Sequence, residues 1–462
     1  MKQKRNTRMR RILRWIGRGV LVLLLLIVAV FAGYRLRGPS QVQREALALM
    51  QKDYWPPQGT NAFPLLWFMR YDIPVAQLDA HMAADVAAVR KRLATDELIV
   101  KDEPNAPLLA EPPIDKSAVC EIRAPGCLAK IAAHADAVRA VLARHPILLQ
   151  RAQTFEHRDF YWNEFPNDYR FLSFVNPGDA QPIWLSAFAL QYSDGDRVGA
   201  LTSTCRNLAA WRRMTHGTNS LIGTMIAHNY ADGAIRLFAD MLAGLHADEA
   251  VPAECVAALQ PIMAADVDRC AQMAGEFATS TSALRQTFAE RATRPWWDRA
   301  QGWLFFQERQ SGAWRADDLA TYCGEAAVAR TLADQPARSE PRHPITQRPE
   351  CLSSLIGCVL TDIATPAYAE YDQRTLDFAA HLRLAATLLW LHGNRDGSVS
   401  ERFARRPDYL RSAGHASGVD AARDMLYVDN LHARRDARFE LSVAPASAGG
   451  IPVAPNSAQL HP

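Results

Sequence analysis

The sequence predicts a mainly α-helical protein with an N-terminal membrane helix, a helical-hairpin domain and a small C-terminal β-hairpin. Three observations predict this class. A basic segment precedes an unbroken apolar run, Ala- and Leu-rich segments with helical spacing fill most of the chain, and period-two alternation is confined to the C-terminal region. Because 49% of the 462 residues are hydrophobic and 22% charged, a large core can be buried.

Residues 1–18 form a basic segment with eight positive charges and no acidic residue. The charges are Lys2, Lys4, Arg5, Arg8, Arg10, Arg11, Arg14 and Arg18. Only Arg35 and Arg37 follow the apolar run directly, so the positive-inside rule predicts a cytoplasmic N-terminus.

Residues 19–36 are predicted to be a transmembrane signal anchor. The sixteen residues from Gly19 to Tyr34 are short for a span, since a helix of this length covers about 24 Å of a hydrocarbon core about 30 Å thick. Trp15, Ile16 and Leu36 extend the apolar character, which favours an uncleaved anchor. The alternative is a signal peptide cleaved after Ala32.

The basic charge belongs to the N-terminal segment alone. Removing its eight positive charges from the net charge of +3 leaves −5 for residues 19–462. A mildly acidic remainder argues against nucleic-acid binding. The anchor itself indicates a bacterial inner-membrane protein with most of its mass in the periplasm, with membrane lipid and an envelope protein or cell-wall component as partners.

The eight cysteines predict disulfides, because the periplasm is oxidising. Sequence spacing favours the local pairs Cys120–Cys127, Cys351–Cys358 and Cys255–Cys270, which leaves Cys205–Cys323 by elimination. Zinc ligation is the alternative, but the sequence contains no Cys-x-x-Cys and no His at a ligand-like offset. Some of the eight could equally be buried thiols. No cofactor is expected.

Helical spacing predicts the elements of residues 40–150. Helices are expected at Gln41–Tyr54, Val75–Leu93 and Leu128–Arg144, and the four prolines of Asp102–Lys116 indicate a loop.

Residues 151–334 are expected to form a helical-hairpin domain. Tyr192-Ser-Asp-Gly195 and Tyr230-Ala-Asp-Gly233 lie 38 residues apart, and each follows one Ala- and Leu-rich segment and precedes another. That period is typical of stacked helical hairpins such as the tetratricopeptide type, although two copies could arise by chance. Two short helical pieces are expected around Pro261.

The C-terminal third begins with a Pro- and Arg-rich loop at residues 335–350. Residues 351–443 are expected to hold helices, including Thr375–His392, and a β-hairpin with strands at Met425–Val428 and Arg438–Val443. Residues 444–462 are rich in Ala, Pro, Ser and Gly, which predicts a disordered tail.

The densest group of polar and aromatic residues lies between Phe155 and Phe174, and we call it the 155–174 patch. Its candidate binding residues are His157, Asp159, Tyr161, Trp162, Glu164, Tyr169 and Arg170, with Glu156 and Asp168 beside them. Aromatic faces stack on sugars and a desolvated carboxylic acid can protonate a leaving oxygen, so a glycan site is one interpretation. A loop packed over a core is the favoured alternative.

Two further features have ordinary structural explanations. A second aromatic cluster is expected to lie in the core, and consists of Trp296, Trp297, Trp303, Phe305, Phe306, Trp314 and Tyr322. The segment from His392 to Phe403 matches part of a calcium loop, but both of its end positions lack the required carboxylates, which favours a helix-ending turn.

The sequence contains none of the phosphate-loop, dinucleotide, zinc-protease or nucleophile-elbow motifs. The sequence therefore favours a non-enzymatic binding or assembly component of the envelope. The alternative is a peptidoglycan-active hydrolase that uses a carboxylate of the 155–174 patch.

Overall fold

The computed structural model describes residues 2–95, 104–171, 173, 175, 177–245, 249–289, 294–337, 345–432 and 437–444, without the side chains of residues 2–13 and 287–289. The predicted tail after residue 444 and the middle of the 335–350 loop lie outside these residues. Within them the protein is mainly helical, as the sequence predicts.

The N-terminal helix α1, Lys2–Arg37, is apolar enough to cross a membrane. Its apolar part, Arg14–Arg37, has 24 residues, and an 18-residue window within it has a mean hydropathy of 2.5 and no buried residue. At 1.5 Å per residue these 24 residues extend about 36 Å, which exceeds a hydrocarbon core of about 30 Å. The helix is therefore longer than the apolar run alone suggests, because the flanking residues continue it without a break.

Helices α2 to α18 follow in chain order. Their ranges are Gln41–Met50 (α2), Phe63–Trp67 (α3), Leu78–Ala94 (α4), Cys127–Ala133 (α5), Ala135–Leu142 (α6), Pro146–Glu156 (α7), Ala180–Ser193 (α8), Arg197–Arg213 (α9), Leu221–Ala243 (α10), Ala253–Ala258 (α11), Ala264–Val267 (α12), Cys270–Ala289 (α13), Trp296–Phe305 (α14), Glu308–Ala320 (α15), Glu325–Leu332 (α16), Leu355–Gly393 (α17) and Val399–Ala404 (α18). Short 3₁₀ turns occur at Val75–Gln77, Ile345–Gln347, Pro349–Ser353 and Asp408–Leu410.

Local sequence explains most of these helix ends. Ser40 and Gln43 form a capping box at the start of α2, and Ser398 and Glu401 form another at the start of α18. Three expected helices differ from the structure, and one of them, Thr375–His392, is only the C-terminal part of α17. The expected Gln41–Tyr54 helix ends at Met50, and the expected Leu128–Arg144 helix is interrupted at His134, whose non-helical φ of −127° separates α5 from α6.

The chain divides into two compact units, and each is assembled from three segments. Unit 1 contains Met1–Lys52, Phe277–Thr321 and Arg338–Tyr368. Unit 2 contains Asp53–Glu276, Tyr322–Ala337 and Ala369–Pro462. The domain boundaries expected from the sequence stay a prediction.

Unit 1 is organised by helix α15, which packs against α2 and against the start of α17. Ser354 links these elements, because its hydroxyl accepts a hydrogen bond from Gln307 N at 2.9 Å and lies 2.9 Å from Ser311 Oγ. Gly357 allows the close approach of the helices, since a Cβ there would collide with Ser311 Oγ. A disulfide between Cys351 and Cys358 fastens the 3₁₀ turn to the first turn of α17.

Unit 2 has one large core around the antiparallel neighbours α8, α9 and α10. Trp184 and Trp211 are almost completely buried, and both rings contact Phe155, with centroid distances of 5.4 Å and 4.4 Å. Each indole has its hydrogen bond, Trp184 to Leu148 O and Trp211 to Gln181 Oε1. The core is therefore well packed and leaves neither of these buried indole N–H groups without a partner.

The second of the two predicted helix breaks is wrong. The break at Tyr192–Gly195 exists, because Gly195 adopts a φ of +102° after α8 ends. Helix α10 instead continues through Tyr230–Gly233. Gly233 serves close packing there, since a Cβ would lie 2.9 Å from Ile122 Cγ2. The 38-residue spacing thus joins a turn to a helix interior, and it is not a structural repeat.

The C-terminal region contains a three-stranded antiparallel sheet, where the sequence predicted a hairpin. Its strands are Ser417–Asp420 (β1), Met425–Asp429 (β2) and Arg438–Ser442 (β3), in the order β1-β2-β3. Leu426 faces Leu441 and Val428 faces Phe439, and all four are buried. Strand β1 was missed because Ser-Gly-Val-Asp has no apolar alternation.

All eight cysteines are paired, and two of the pairs differ from the prediction. Cys120–Cys127 and Cys351–Cys358 are the local pairs that the spacing favours. Cys255 pairs with Cys205, and Cys270 pairs with Cys323. The predicted Cys255–Cys270 and Cys205–Cys323 pairs are therefore wrong.

The reason for this error lies in the segment between Cys255 and Cys270. Arg212 on α9 donates hydrogen bonds to the backbone oxygens of Ala258, Gln260 and Pro261 and to both carboxylate oxygens of Asp266. These contacts hold α11 and α12 against other parts of unit 2. Each cysteine therefore meets a partner that is distant in sequence, although both helical pieces around Pro261 form as predicted.

Candidate functional site

The acidic residues of the 155–174 patch mostly have partners within unit 2. Asp159 Oδ2 accepts hydrogen bonds from Thr60 N at 2.8 Å and Thr60 Oγ1 at 2.9 Å, which lower the pKa of Asp159. Asp168 receives three side-chain and backbone hydrogen bonds from Arg170, and these lower its pKa as well. Both carboxylates therefore stabilise local loop structure.

Glu164 lies where the loop meets the residues before α3. Its Oε1 accepts a hydrogen bond from Asn61 Nδ2 at 2.9 Å, and burial raises its pKa. Asn61 also receives a hydrogen bond from Trp162 N and donates one to Trp162 O, so it fixes the backbone of the patch. The polar neighbours thus cap the loop, as the structural interpretation of the patch expects.

The aromatic and basic members of the patch also have structural roles. Tyr161 is buried with an edge-to-face contact to Phe63, at a centroid distance of 5.4 Å, and burial raises its pKa. Exposed His157 has Nδ1 2.7 Å from Gln153 O. Tyr169 and Arg170 are half-buried, and Arg170 also donates to Leu93 O.

Glu156 is the carboxyl group of this region with a pKa raised to near neutral pH. Burial raises its pKa to about 7, despite the opposing charges of Arg206, His157 and Arg213. A carboxyl group with this pKa is partly protonated at neutral pH, which suits a general acid. The side chain of Arg213 donates instead to two backbone oxygens, those of Glu156 and Arg158.

The structure reveals a second cluster that the sequence does not suggest, and we call it the His415 network. His415 Nδ1 lies 2.8 Å from Asp334 Oδ1, and His415 Nε2 lies 3.0 Å from Asp377 Oδ1. Both carboxylates accept backbone hydrogen bonds too, Asp334 from Gly414 N and Asp377 from Leu431 N. The network therefore fixes Leu431, just after β2, and Gly414, before β1, to the helices of unit 2.

The charge of His415 follows from this geometry. A ring with a carboxylate at each nitrogen can donate twice only as imidazolium. Burial alone would lower the pKa of His415, but hydrogen bonds to Asp334 and Asp377 outweigh it and raise the pKa to about 9. Because the three side chains are 0%, 2% and 8% exposed, a substrate could not reach them, and the network is structural.

A parallel arrangement surrounds His381 on α17. His381 Nδ1 lies 2.9 Å from Asp232 Oδ1, Nε2 lies 2.8 Å from Asn430 Oδ1, and the ring stacks on Phe439 at 3.9 Å. Sequence inspection could not find either histidine group, because their partners are distant in sequence and share no motif.

A cavity of about 330 Å³ lies in unit 2 beside the end of α17. Its lining is apolar except at His392, Arg395 and Arg402, and includes Leu242, Leu245, Leu388, Leu391, Val399 and Val443. The two arginines donate mainly to nearby backbone oxygens, among them Leu391 O, Asn394 O and His392 O. The two guanidinium groups thus stabilise the turn between α17 and α18 through these hydrogen bonds.

The expectation that the second aromatic cluster lies in the core is wrong for the residues of α14. Trp296, Trp297 and Trp303 are 69%, 52% and 64% exposed, and Phe305 is 40% exposed. Phe306 in unit 1 and Tyr322 in unit 2 are buried, as expected. Trp314 is half-buried.

Among the residues that the structure describes, no group of three or more His, Cys, Asp or Glu is placed to hold a metal ion. The segment after α17 forms a turn closed by Gly397, with a φ of +94°, and by the Ser398 cap. Comparison with protein-family models, with curated proteins and with solved structures finds no match to this chain.

Proposed function

We propose that this chain is a single-pass inner-membrane protein that holds a disulfide-bonded helical domain in the periplasm, as a non-enzymatic binding or assembly component of the envelope. One observation supports this above all others. The same chain has a 24-residue apolar helix that is exposed over residues 14–30, and it has four cysteine pairs. Such an arrangement suits a domain that folds in an oxidising compartment beside a membrane.

The direction of insertion follows from charge. The basic residues before the apolar part of α1 remain in the cytoplasm, and residues after Arg37 enter the periplasm. The anchor is retained in this proposal, because the last turns of α1 carry half-buried residues such as Phe31 and Ala32 that pack within unit 1. Cleavage after Ala32 would remove part of this packing.

A binding role is favoured because the potential catalytic groups are used internally. Asp159 and Asp168 hold loops, and His415 is enclosed between two carboxylates. The binding role does not include a tetratricopeptide array, since α10 does not break at Gly233.

Topology and oxidation state can be measured on the full chain in intact cells. We expect protease added to spheroplasts to digest the chain after Arg37 and to leave the N-terminal segment protected. Thiol labelling of the denatured, unreduced protein should find no free cysteine, and labelling after reduction should find eight. Protection of the whole chain, or eight thiols before reduction, would contradict the proposal.

The binding role needs a separate test. Cross-linking in intact cells, followed by purification of the full chain, should recover a discrete adduct with an envelope protein or with peptidoglycan. Recovery of free monomer alone would contradict a binding role while leaving the topology intact.

Glycan hydrolysis is the second candidate, and the raised pKa of Glu156 is the observation that favours it. The test compares sugar release from purified cell wall by the wild-type chain, Glu156→Gln and the control Glu121→Gln, which changes an exposed carboxylate outside the 155–174 patch. A hydrolase that uses Glu156 as its acid should lose activity on the order of a hundredfold in Glu156→Gln alone. Absence of release by the wild-type chain would remove this candidate.

A further inference from the structure

Helix α14 in unit 1 has one face that is apolar and uncovered. At 100° per residue, Trp303, Trp296, Ala300, Leu304 and Trp297 occupy a continuous arc of about 120°. We call this arc the tryptophan face. Gly302 lies on the opposite side and is buried, so α14 packs against unit 1 through Gly302 and presents its tryptophans outward.

The end of α14 is fastened to the end of the apolar helix α1. Arg35 donates hydrogen bonds to Leu304 O at 3.3 Å and Phe306 O at 3.3 Å, and its guanidinium lies 4.6 Å from the Trp303 ring centroid. Gln307 Nε2 donates in return to Arg35 O at 3.2 Å. The tryptophan face is therefore at the level of the C-terminal turns of α1.

The exposure of the α1 residues shows how far along this helix its contact with the rest of unit 1 extends. Residues 14–30 of α1 are exposed, and half-burial begins at Phe31. Phe31 lies six residues before Arg37, or about 9 Å along the helix axis. Interfacial helices insert their apolar faces to a depth of about 5–10 Å, so the two depths agree.

A second uncovered stripe belongs to the same unit. Leu355, Val359 and Ile363 follow helical spacing at the start of α17, with exposures of 40%, 36% and 70%. Arg35 also donates to Ser353 O, two residues before this stripe. The apolar surface next to the end of α1 is therefore larger than α14 alone.

The composition of α14 suits a lipid interface, and its position beside the end of α1 favours lipid over a protein partner. Tryptophans prefer the boundary between headgroups and acyl chains, and arginines favour anionic headgroups. Arg294 and Arg299 are both exposed beside the tryptophan face. Continuity with α1 supplies the direction of the contact, because any bilayer that α1 spans has its surface at this level.

We propose that α14 lies along the periplasmic surface of the membrane that α1 spans, with its tryptophan face inserted among the phospholipid headgroups. This inference rests on the proposed membrane span of α1. The contact fixes unit 1 against the bilayer, so the chain has a second membrane attachment beside its anchor.

The test places a photo-reactive benzoylphenylalanine at one position at a time in the full chain, in vesicles of phosphatidylethanolamine and phosphatidylglycerol. The test positions are Trp297 and Trp303. Leu24 in α1 reports on the span itself, and Tyr409, an aromatic residue of unit 2 that is 59% exposed, is the matched aqueous control. Irradiated protein is analysed for lipid adducts by mass spectrometry.

We expect lipid adducts at both tryptophan positions, comparable to those at Leu24 and on the order of tenfold above those at Tyr409. Adducts at Leu24 without adducts at Trp297 and Trp303 would overturn this inference and leave the anchor intact. Adducts with a second copy of the chain at the two positions would overturn it in favour of self-association. Absence of lipid adducts at Leu24 would refute the span, and this inference with it.

Discussion

Two core tryptophans of unit 2 and the tryptophans of α14 in unit 1 lie in opposite environments. In unit 2, Trp184 and Trp211 are 0% and 1% exposed, and their indole N–H groups donate to Leu148 O and Gln181 Oε1. In unit 1, the three tryptophans of α14 are more than half exposed. The comparison teaches that tryptophan content alone does not indicate a core, since the ring suits both a dry interior and a membrane boundary.

A similar contrast holds between one ion pair of each unit. Unit 2 buries the Arg212–Asp266 pair, at 7% and 4% side-chain exposure. In unit 1 the Arg348–Asp362 pair remains partly exposed, at 13% and 29%. Burial would raise the pKa of Asp266, but hydrogen bonds from Arg212 and His216 lower it well below its usual range. The Arg212–Asp266 pair is therefore the more buried of the two pairs, and its carboxylate stays charged because its hydrogen bonds offset burial.

The largest expected effect separates the two kinds of tryptophan. Trp211→Ala should lower the free energy of unfolding by roughly 3–5 kcal/mol, because it leaves a cavity and removes a buried hydrogen bond. Trp297→Ala should change it by less than about 0.5 kcal/mol, because the ring is exposed in the protein. Urea unfolding of the full chain in detergent measures both. Equal losses would contradict the contrast between the units.

The disulfides extend the comparison to chain entropy. The Cys205–Cys255 bond closes a 50-residue separation, and Cys351–Cys358 closes one of 7 residues. The double variant Cys205→Ser/Cys255→Ser should lower the free energy of unfolding by about 4 kcal/mol. The double variant Cys351→Ser/Cys358→Ser should lower it by about 2.5 kcal/mol. Thermal unfolding of the two double variants shows which one loses more stability. A larger loss in the unit 1 variant would contradict the dependence on loop length.

The His415 network should make unit 2 sensitive to alkaline pH. The pKa of His415 is about 9 in the folded protein and 6.5 in the unfolded chain. The charged imidazole therefore stabilises the fold fully below pH 6.5, and this stabilisation is lost as pH rises through 9. The full loss should be about 3.4 kcal/mol, because the two pKa values differ by about 2.5 and each pKa unit corresponds to about 1.36 kcal/mol. Unfolding measured across this pH range should show a smaller slope in His415→Gln, whose amide has no charge to lose. An unchanged slope would remove His415 as the cause.

A smaller effect concerns helix packing inside unit 1. Gly357→Ala should cost about 1–3 kcal/mol, because the new methyl group collides with Ser311 Oγ. Gly312 on α15 is the matched control, since a Cβ there meets no atom within 4 Å, and Gly312→Ala should stabilise by about 0.4–1 kcal/mol. The melting temperatures of the two variants measure these effects. Shifts of the same sign would show that α15 and the start of α17 are farther apart than in the structure.

Much of the helical fold could be predicted from local sequence. The spacing of Val75–Leu93, the Pro261 break and the alternation of Met425–Val428 each report an element that forms from neighbouring residues. The candidate sites could not be predicted equally well. His415 meets Asp334 and Asp377 only after three distant segments pack together, and no local pattern records that meeting.

What the sequence by itself determined is the apolar helix near the N-terminus, its charge asymmetry, the helical class and the short-range cysteine pairs, because each depends on residues within a few turns of one another. Only the tertiary structure decided that α10 continues through Gly233, that Cys255 meets Cys205, and that the tryptophans of α14 face outward. The physical reason is shared by all three. Packing against a distant segment, Ile122 against Gly233 for instance, outweighs local preference, and sequence spacing carries no record of which distant segments will meet.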